Sequence, residues 1–155
     1  MAVRLLGRSA EAEDVVQDAF VAAFTRIHQL RDGALFRAWL LRITVHEVHR
    51  RFRRQRLLAA LGMGRRADPE PDASLAQLAA PGLPAEAHAE LRLLDRALAQ
   101  LPARERIAWM LRHIEGLELT EVASACDKSL ATIKRWLAHA DQHVQRHLHE
   151  EPSHD

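Results

Sequence analysis

The chain has 155 residues, with 22 Lys+Arg against 21 Asp+Glu, a formal net charge of +1 and 48% apolar residues. That balance argues against a polybasic coat protein or an acidic disordered tail, and the apolar fraction is enough to build a core. No apolar run approaches the roughly 18 residues needed to cross a membrane, the start MAVRLLGRSAEAED lacks a secretory apolar region, and the single Cys126 permits neither a disulfide framework nor a cysteine-based zinc site, as in a reducing cytoplasm.

In chain order, the first predicted element is a helix from Glu11 to Ile27, with Val16, Phe20, Ala23 and Ile27 on one apolar stripe and Asp14, Gln17, Asp18 and Thr25 on the opposite face. Arg31-Asp32-Gly33 is a turn signal. A second helix follows over about Phe36 to Leu58. It has two apolar stripes, Phe36/Leu40/Ile43 and Leu41/Val45/Val48/Phe52, so it is expected to be contacted on two sides. Resolved by segment, the charge is far from balanced. Residues 31–66 carry 10 Arg against only Asp32 and Glu47, a local +8, whereas 1–30, 67–101 and 102–155 carry −1, −4 and −2.

Between Gly62 and Pro84 lie four of the six Pro and three of the six Gly. Such a stretch cannot continue a helix and reads as a flexible tether. The expected organisation is therefore a module over 1–61, a linker over 62–85 and a second module over 86–155. The second begins with a helix over Glu86–Gln100 that repeats Leu91, Leu94 and Leu98, with Leu101 continuing the spacing. Pro102 opens another helix to about His113, and Gly116 closes it. Strand-like alternation is absent, so the fold class is all-α.

The sharpest local signal is the segment Leu119 to Leu137. A short helix runs to Ala125, three residues turn, and Ser129 stands as N-cap of the next helix. Val122, Ala123, Ile133 and Leu137 fall where a helix-turn-helix places its internal contacts, leaving Leu130, Ala131, Lys134 and Arg135 to face outward into a major groove. An αα-hairpin with an incidentally basic helix has the same pattern. The second signal is Arg50-Arg51-Phe52-Arg53-Arg54-Gln55-Arg56, downstream of Phe36, Trp39, His46 and His49. Cations beside aromatic rings suit a strand whose phosphates are neutralised while its bases stack or flip; a solvated face ending a helix is the alternative.

Other features carry less. The acidic face Asp14/Gln17/Asp18 is by pattern a solvated surface, or else a docking face for a basic partner. His139, His143 and His147 recur every four residues, but without a third ligand they read as a solvated or phosphate-facing stripe rather than a metal site. Cys126 reads as a small buried apolar residue and Trp109 as core. There is no Gly-rich phosphate loop, nucleophile elbow or paired-carboxylate motif, so neither an enzyme nor a cofactor is expected.

Four segments in this order carry a resemblance: Ala12 to Phe20, Phe36 to Ile43, Leu98 to Leu117 and the helix-turn-helix. Together they resemble a bacterial RNA polymerase sigma factor of the extracytoplasmic-function type of the sigma-70 family. The family begins with about one more helix, so the chain is short at its N-terminus by comparison. The resemblance implies that Asp14, Gln17 and Asp18 dock on the β′ clamp helices of core RNA polymerase, with the β flap as a second contact. It implies that Trp39, His46, Arg50, Arg53 and Arg54 serve the minus-ten promoter element. Ser129, Leu130, Ala131, Thr132, Lys134, Arg135 and His139 would then serve the minus-thirty-five element. Implied partners are core polymerase, promoter DNA and an anti-sigma factor, in the cytoplasm and without a membrane. The sequence departs from the family pattern at His46, where Asn is usual, at Asp127 for the turn Gly, at Lys128 for an apolar residue and at Trp136 for Arg. Asp tolerates the left-handed conformation better than most residues, so the turn is expected to form. Two other functions fit the same residues: a helix-turn-helix regulator that does not bind polymerase, and a degenerate sigma-like protein that binds polymerase or an anti-sigma factor without opening promoters.

Overall fold

The computed structural model describes residues 9–61, 82 and 84–149. Among the described residues six helices carry the fold: α1 (Ser9–Arg26), α2 (Phe36–Ala60), α3 (Ala85–Gln100), α4 (Ala103–His113), α5 (Leu119–Cys126) and α6 (Leu130–His149). No strand occurs among the described residues, and the fold is all-α. The predicted linker falls largely outside the described residues, and α3 has already begun at Ala85.

The helix ends follow local chemistry. After α1, a 3-10 turn over Ile27–Gln29 is closed by the Leu30 N–H on the Ile27 carbonyl. The expected turn at Asp32 forms a second 3-10 turn over Gly33–Leu35, because the Asp32 carboxylate accepts the Ala34 N–H at 2.9 Å. Pro84 and Pro102 sit immediately before α3 and α4, where a missing N–H costs nothing. Gly116 takes a φ of +71°, which lets the chain reverse after α4.

Helix α2 is contacted on two sides, as its two stripes imply. Ile43 and Leu40 meet Ala19 and Ala23 of α1, while Val45 and Val48, both fully buried, join the core formed with the C-terminal helices. That core centres on Ile107, Met110, Leu111, Val122 and Ile133. Helix α6 is gripped by α3 on one side and by α4 and α5 on the other.

The stripe predicted for α1 is corrected. Of its members only Ala23 is buried; Val16, Phe20 and Ile27 are 37%, 58% and 47% exposed. The inward face is Ala12, Val15, Ala19 and Ala23. Small side chains bring α1 close to α2, and the neighbouring face of larger side chains is thereby turned outward.

The two halves also meet through polar groups. The Arg37 guanidinium at the start of α2 donates to the Glu115 carbonyl at 2.6 Å and lies 3.2 Å from the Glu115 carboxylate, 78 residues along the chain. Ile133→Ala is expected to lower stability by about 2–5 kcal/mol, as for other deletions of a buried branched side chain. Phe20→Ser, on the predicted but exposed stripe, should stay within about 0.5 kcal/mol. Urea midpoints of the two variants check the contrast.

Candidate nucleic-acid interface

The helix-turn-helix is held by caps at every junction. Glu118 and Glu121 form a capping box at the start of α5, with the Glu118 N–H donating to Glu121 Oε2 at 2.8 Å. At its end Asp127 adopts φ 53° and ψ 51°, the left-handed conformation expected of it. The Lys128 N–H then reaches the Ala123 carbonyl at 3.0 Å, so the turn closes without glycine. Ser129 caps α6: its Oγ accepts the Thr132 N–H at 3.2 Å and lies 2.9 Å from the Thr132 hydroxyl. Val122, Ala123, Ile133 and Leu137 are buried at the crossing of α5 and α6. Leu130, Ala131, Lys134 and Arg135 are exposed on the outer face of α6.

Trp136 is buried on the inner face, and the Arg104 guanidinium sits 5.6 Å from its ring centroid. It is a core residue. Trp109 is likewise core, its indole N–H donating to Asp141 Oδ1 at 2.9 Å.

The histidine stripe does more than face solvent. His139 is exposed, as a solvated stripe implies, and His143 and His147 are half-buried, but all three rings also tie α6 to its neighbours. His139 Nδ1 lies 2.5 Å from the carboxylate of Glu105, a residue only 7% exposed on α4. His143 Nε2–H donates to the Ala97 carbonyl of α3, and His147 Nε2 is 2.9 Å from the Gln100 side chain. Burial and the adjacent His147 push His143 below its ordinary value, favouring the neutral ring. His139, expected at the upstream element, is thus turned towards Glu105. Among the described residues no group of three His, Cys, Asp or Glu could hold a metal ion.

The acidic and basic faces of the first two helices meet each other. Arg50 Nη2 lies 2.9 Å from Asp18 and 2.8 Å from Glu47, and Arg51 lies 3.5 Å from Asp14. These pairs are mostly solvent-exposed, so each contributes at most about 1 kcal/mol and both partners remain open to competition. Gln17 is exposed beside them. Trp39 is half-buried, tilted against Phe36 at 6.1 Å between ring centroids and packed on Ala19, Ala23 and Ile43. Arg54 is exposed, whereas His46 and Arg53 border a cleft facing the α5–α6 turn.

Family models match in the same order as these two surfaces: Sigma-70 region 2 over residues 1–57, and Sigma-70 region 4 over residues 91–144. The chain belongs to the sigma-70 family. Among its relatives, the ECF RNA polymerase sigma factor SigW of Bacillus subtilis is 28% identical over 149 residues, covering 94% of this chain and 79% of the relative. The ECF RNA polymerase sigma factor SigE of Mycolicibacterium smegmatis is also 28% identical, over 96% of this chain and 56% of its own length. The fold matches the sigma factor RpoE of Bartonella quintana, solved in complex with the anti-sigma factor NepR, with a TM-score of 0.76 at 24% identity, covering 97% of this chain and 89% of that one.

Sequence reasoning missed several groups that shape this sigma factor. Glu105 could have been found, because it lies three and four residues before the buried Ala108 and Trp109 on the same helix face. Arg37 could not, since nothing local marks a partner 78 residues away. His49, on the inner side of α2, is held below its ordinary value of 6.5 by burial and by His46, Arg53 and Lys128. The neutral ring is therefore the folded form, and between the depressed value and 6.5 the unfolded chain binds more protons. Stability that His49 contributes is complete above 6.5 and is lost as pH falls through its folded value. His49→Gln should accordingly flatten the fall in thermal midpoint between pH 7.5 and 5.5, read by circular dichroism.

Proposed function

We propose that this sigma factor binds core RNA polymerase and directs it to specific promoters, with no catalysis of its own. The observation that carries this conclusion is the pairing of region 2 and region 4 in one chain, each ending in an exposed basic surface. The organisation is two modules, 1–61 and 86–155, joined by a linker over 62–85. No helix among the described residues is long and apolar enough to cross a membrane, and the protein acts in the cytoplasm beside the polymerase.

Exposure and charge support the residue roles that family membership suggests. Asp14, Gln17 and Asp18 form the polymerase-docking face, the β′ clamp helices competing with Arg50 and Arg51 for the carboxylates. Trp39, His46, Arg50, Arg53 and Arg54 serve the minus-ten element. Ser129, Leu130, Ala131, Thr132, Lys134 and Arg135 serve the minus-thirty-five element, where Ser129 and Thr132 contribute by fixing the start of α6. His139 orients that helix through Glu105. The β flap of polymerase and an anti-sigma factor complete the partners.

The two elements are roughly 25 base pairs apart, on the order of 80 Å of duplex. Modules in direct contact through α2 and α5 do not span that distance. The closed arrangement is the form off DNA, and polymerase holds the modules apart. Two weak readers on one enzyme gain roughly 10²–10⁴ in avidity.

Co-purification with core polymerase and run-off transcription test the proposal. Asp14→Arg with Asp18→Arg should abolish co-purification; retention would dismiss the docking face, and a wild-type chain that never associates would leave a regulator acting without polymerase. A chain that associates yet yields no promoter-dependent transcript would be the degenerate form. Arg53→Ala with Arg54→Ala should weaken promoter binding by the holoenzyme and lower its salt dependence by about two phosphate contacts. Lys134→Ala should instead change sequence preference upstream.

A further inference from the structure

Between α2, the start of α4 and the α5–α6 turn lies a cleft of about 540 Å³. His46, His49 and Arg53 line it from α2, Arg104 from α4, and Asp127 and Lys128 from the turn. Among the described residues, three permanent cations and two imidazoles therefore share one cavity with a single carboxylate. The other described acids near α2 are engaged elsewhere. Arg50 and Arg51 are paired with Asp18 and Asp14, while Arg53 has no ion-pair partner among the described residues. Among the described residues, Lys128 Nζ donates only to its neighbour's carbonyl, that of Asp127, at 3.1 Å. The Arg104 guanidinium lies over Trp136, 3.8 Å from Glu105, whose other oxygen is engaged by His139.

Cations gathered in a partly enclosed space repel one another more strongly than on an open surface. The depression of His49 by His46, Arg53 and Lys128, over and above burial, reports that positive field. The volume falls within the range of small-ligand sites and is several times what one phosphate fills. Duplex DNA cannot enter while the helix-turn-helix forms one wall.

We propose that this cleft is a binding site for a small polyphosphate of the pyrophosphate class, bridging Arg53 on α2 to Arg104 and Lys128 on the other half. Such a ligand joins the two halves across their interface and holds the closed arrangement. Its effect on transcription rests on the proposed promoter roles of His46 and Arg53; binding itself does not, and is measured without DNA or polymerase.

Inorganic pyrophosphate is titrated into the full chain by calorimetry, and the histidine imidazole resonances are followed by NMR. Saturable one-to-one binding is expected, with the His46 and His49 signals moving and the His49 titration midpoint rising, because an anion offsets the surrounding cations. Lys128→Gln and Arg104→Gln should each weaken binding about tenfold, the usual scale of a charge-assisted hydrogen bond. The His49 response in the unaltered chain locates the site even if a variant folds poorly. The site is overturned if pyrophosphate does not saturate, if sodium chloride at equal ionic strength reproduces the shifts, or if a folded double variant binds with unchanged affinity.

Discussion

Helix α2 has to satisfy two neighbours at once, and most of the structure depends on how it does so. One side presents Leu40 and Ile43 to the alanine face of α1; another presents Val45 and Val48 to the core of the C-terminal helices. A helix buried on two sides has only narrow strips left for polar groups, and on α2 these strips are filled largely by arginine and histidine. The basic surface is thus a by-product of packing as well as a feature in its own right.

Electrostatics then divides the arginines by address. Arg37 latches onto Glu115, Arg50 and Arg51 answer the acids of α1, and Arg53 and Arg54 have no ion-pair partner among the described residues. A net charge of +1 hides this partition. Within the C-terminal half the polar groups are used in the opposite way, turned inward to fix helix angles. Asp141 receives both Trp109 and His113, and Glu105 receives His139. These contacts, one on the buried Glu105 and one on the half-exposed Asp141, favour one rotation of α6 about its axis, which determines which side chains it offers outward.

What the sequence made legible was whatever is decided within one or two turns of chain. Ser129, Gly116, Asp32 and Pro102 marked element boundaries because caps and turns are local chemistry. The two stripes of α2 were legible because helical period alone separates them. The α1 face was misjudged because large residues attract notice, whereas close helix approach selects alanine; hydrophobicity gave no way to choose between adjacent stripes. The partners of the histidine stripe were not legible, because i, i+4 spacing fixes a face without saying which neighbour meets it. The contact between the halves, through Arg37 and through Val45 and Val48, was out of reach: nothing short-range couples positions separated by the linker.

Cys126, at the end of α5, is buried, and burial pushes its thiol up to about 12 despite Lys128 nearby. At neutral pH the thiolate is essentially unpopulated, and the thiolate is the nucleophile that attacks disulfides and reacts with oxidants. The chain's only sulfhydryl is thus chemically mute. A cell that tied this factor to oxidative stress would have to place the sensor on another molecule and transmit the signal by binding.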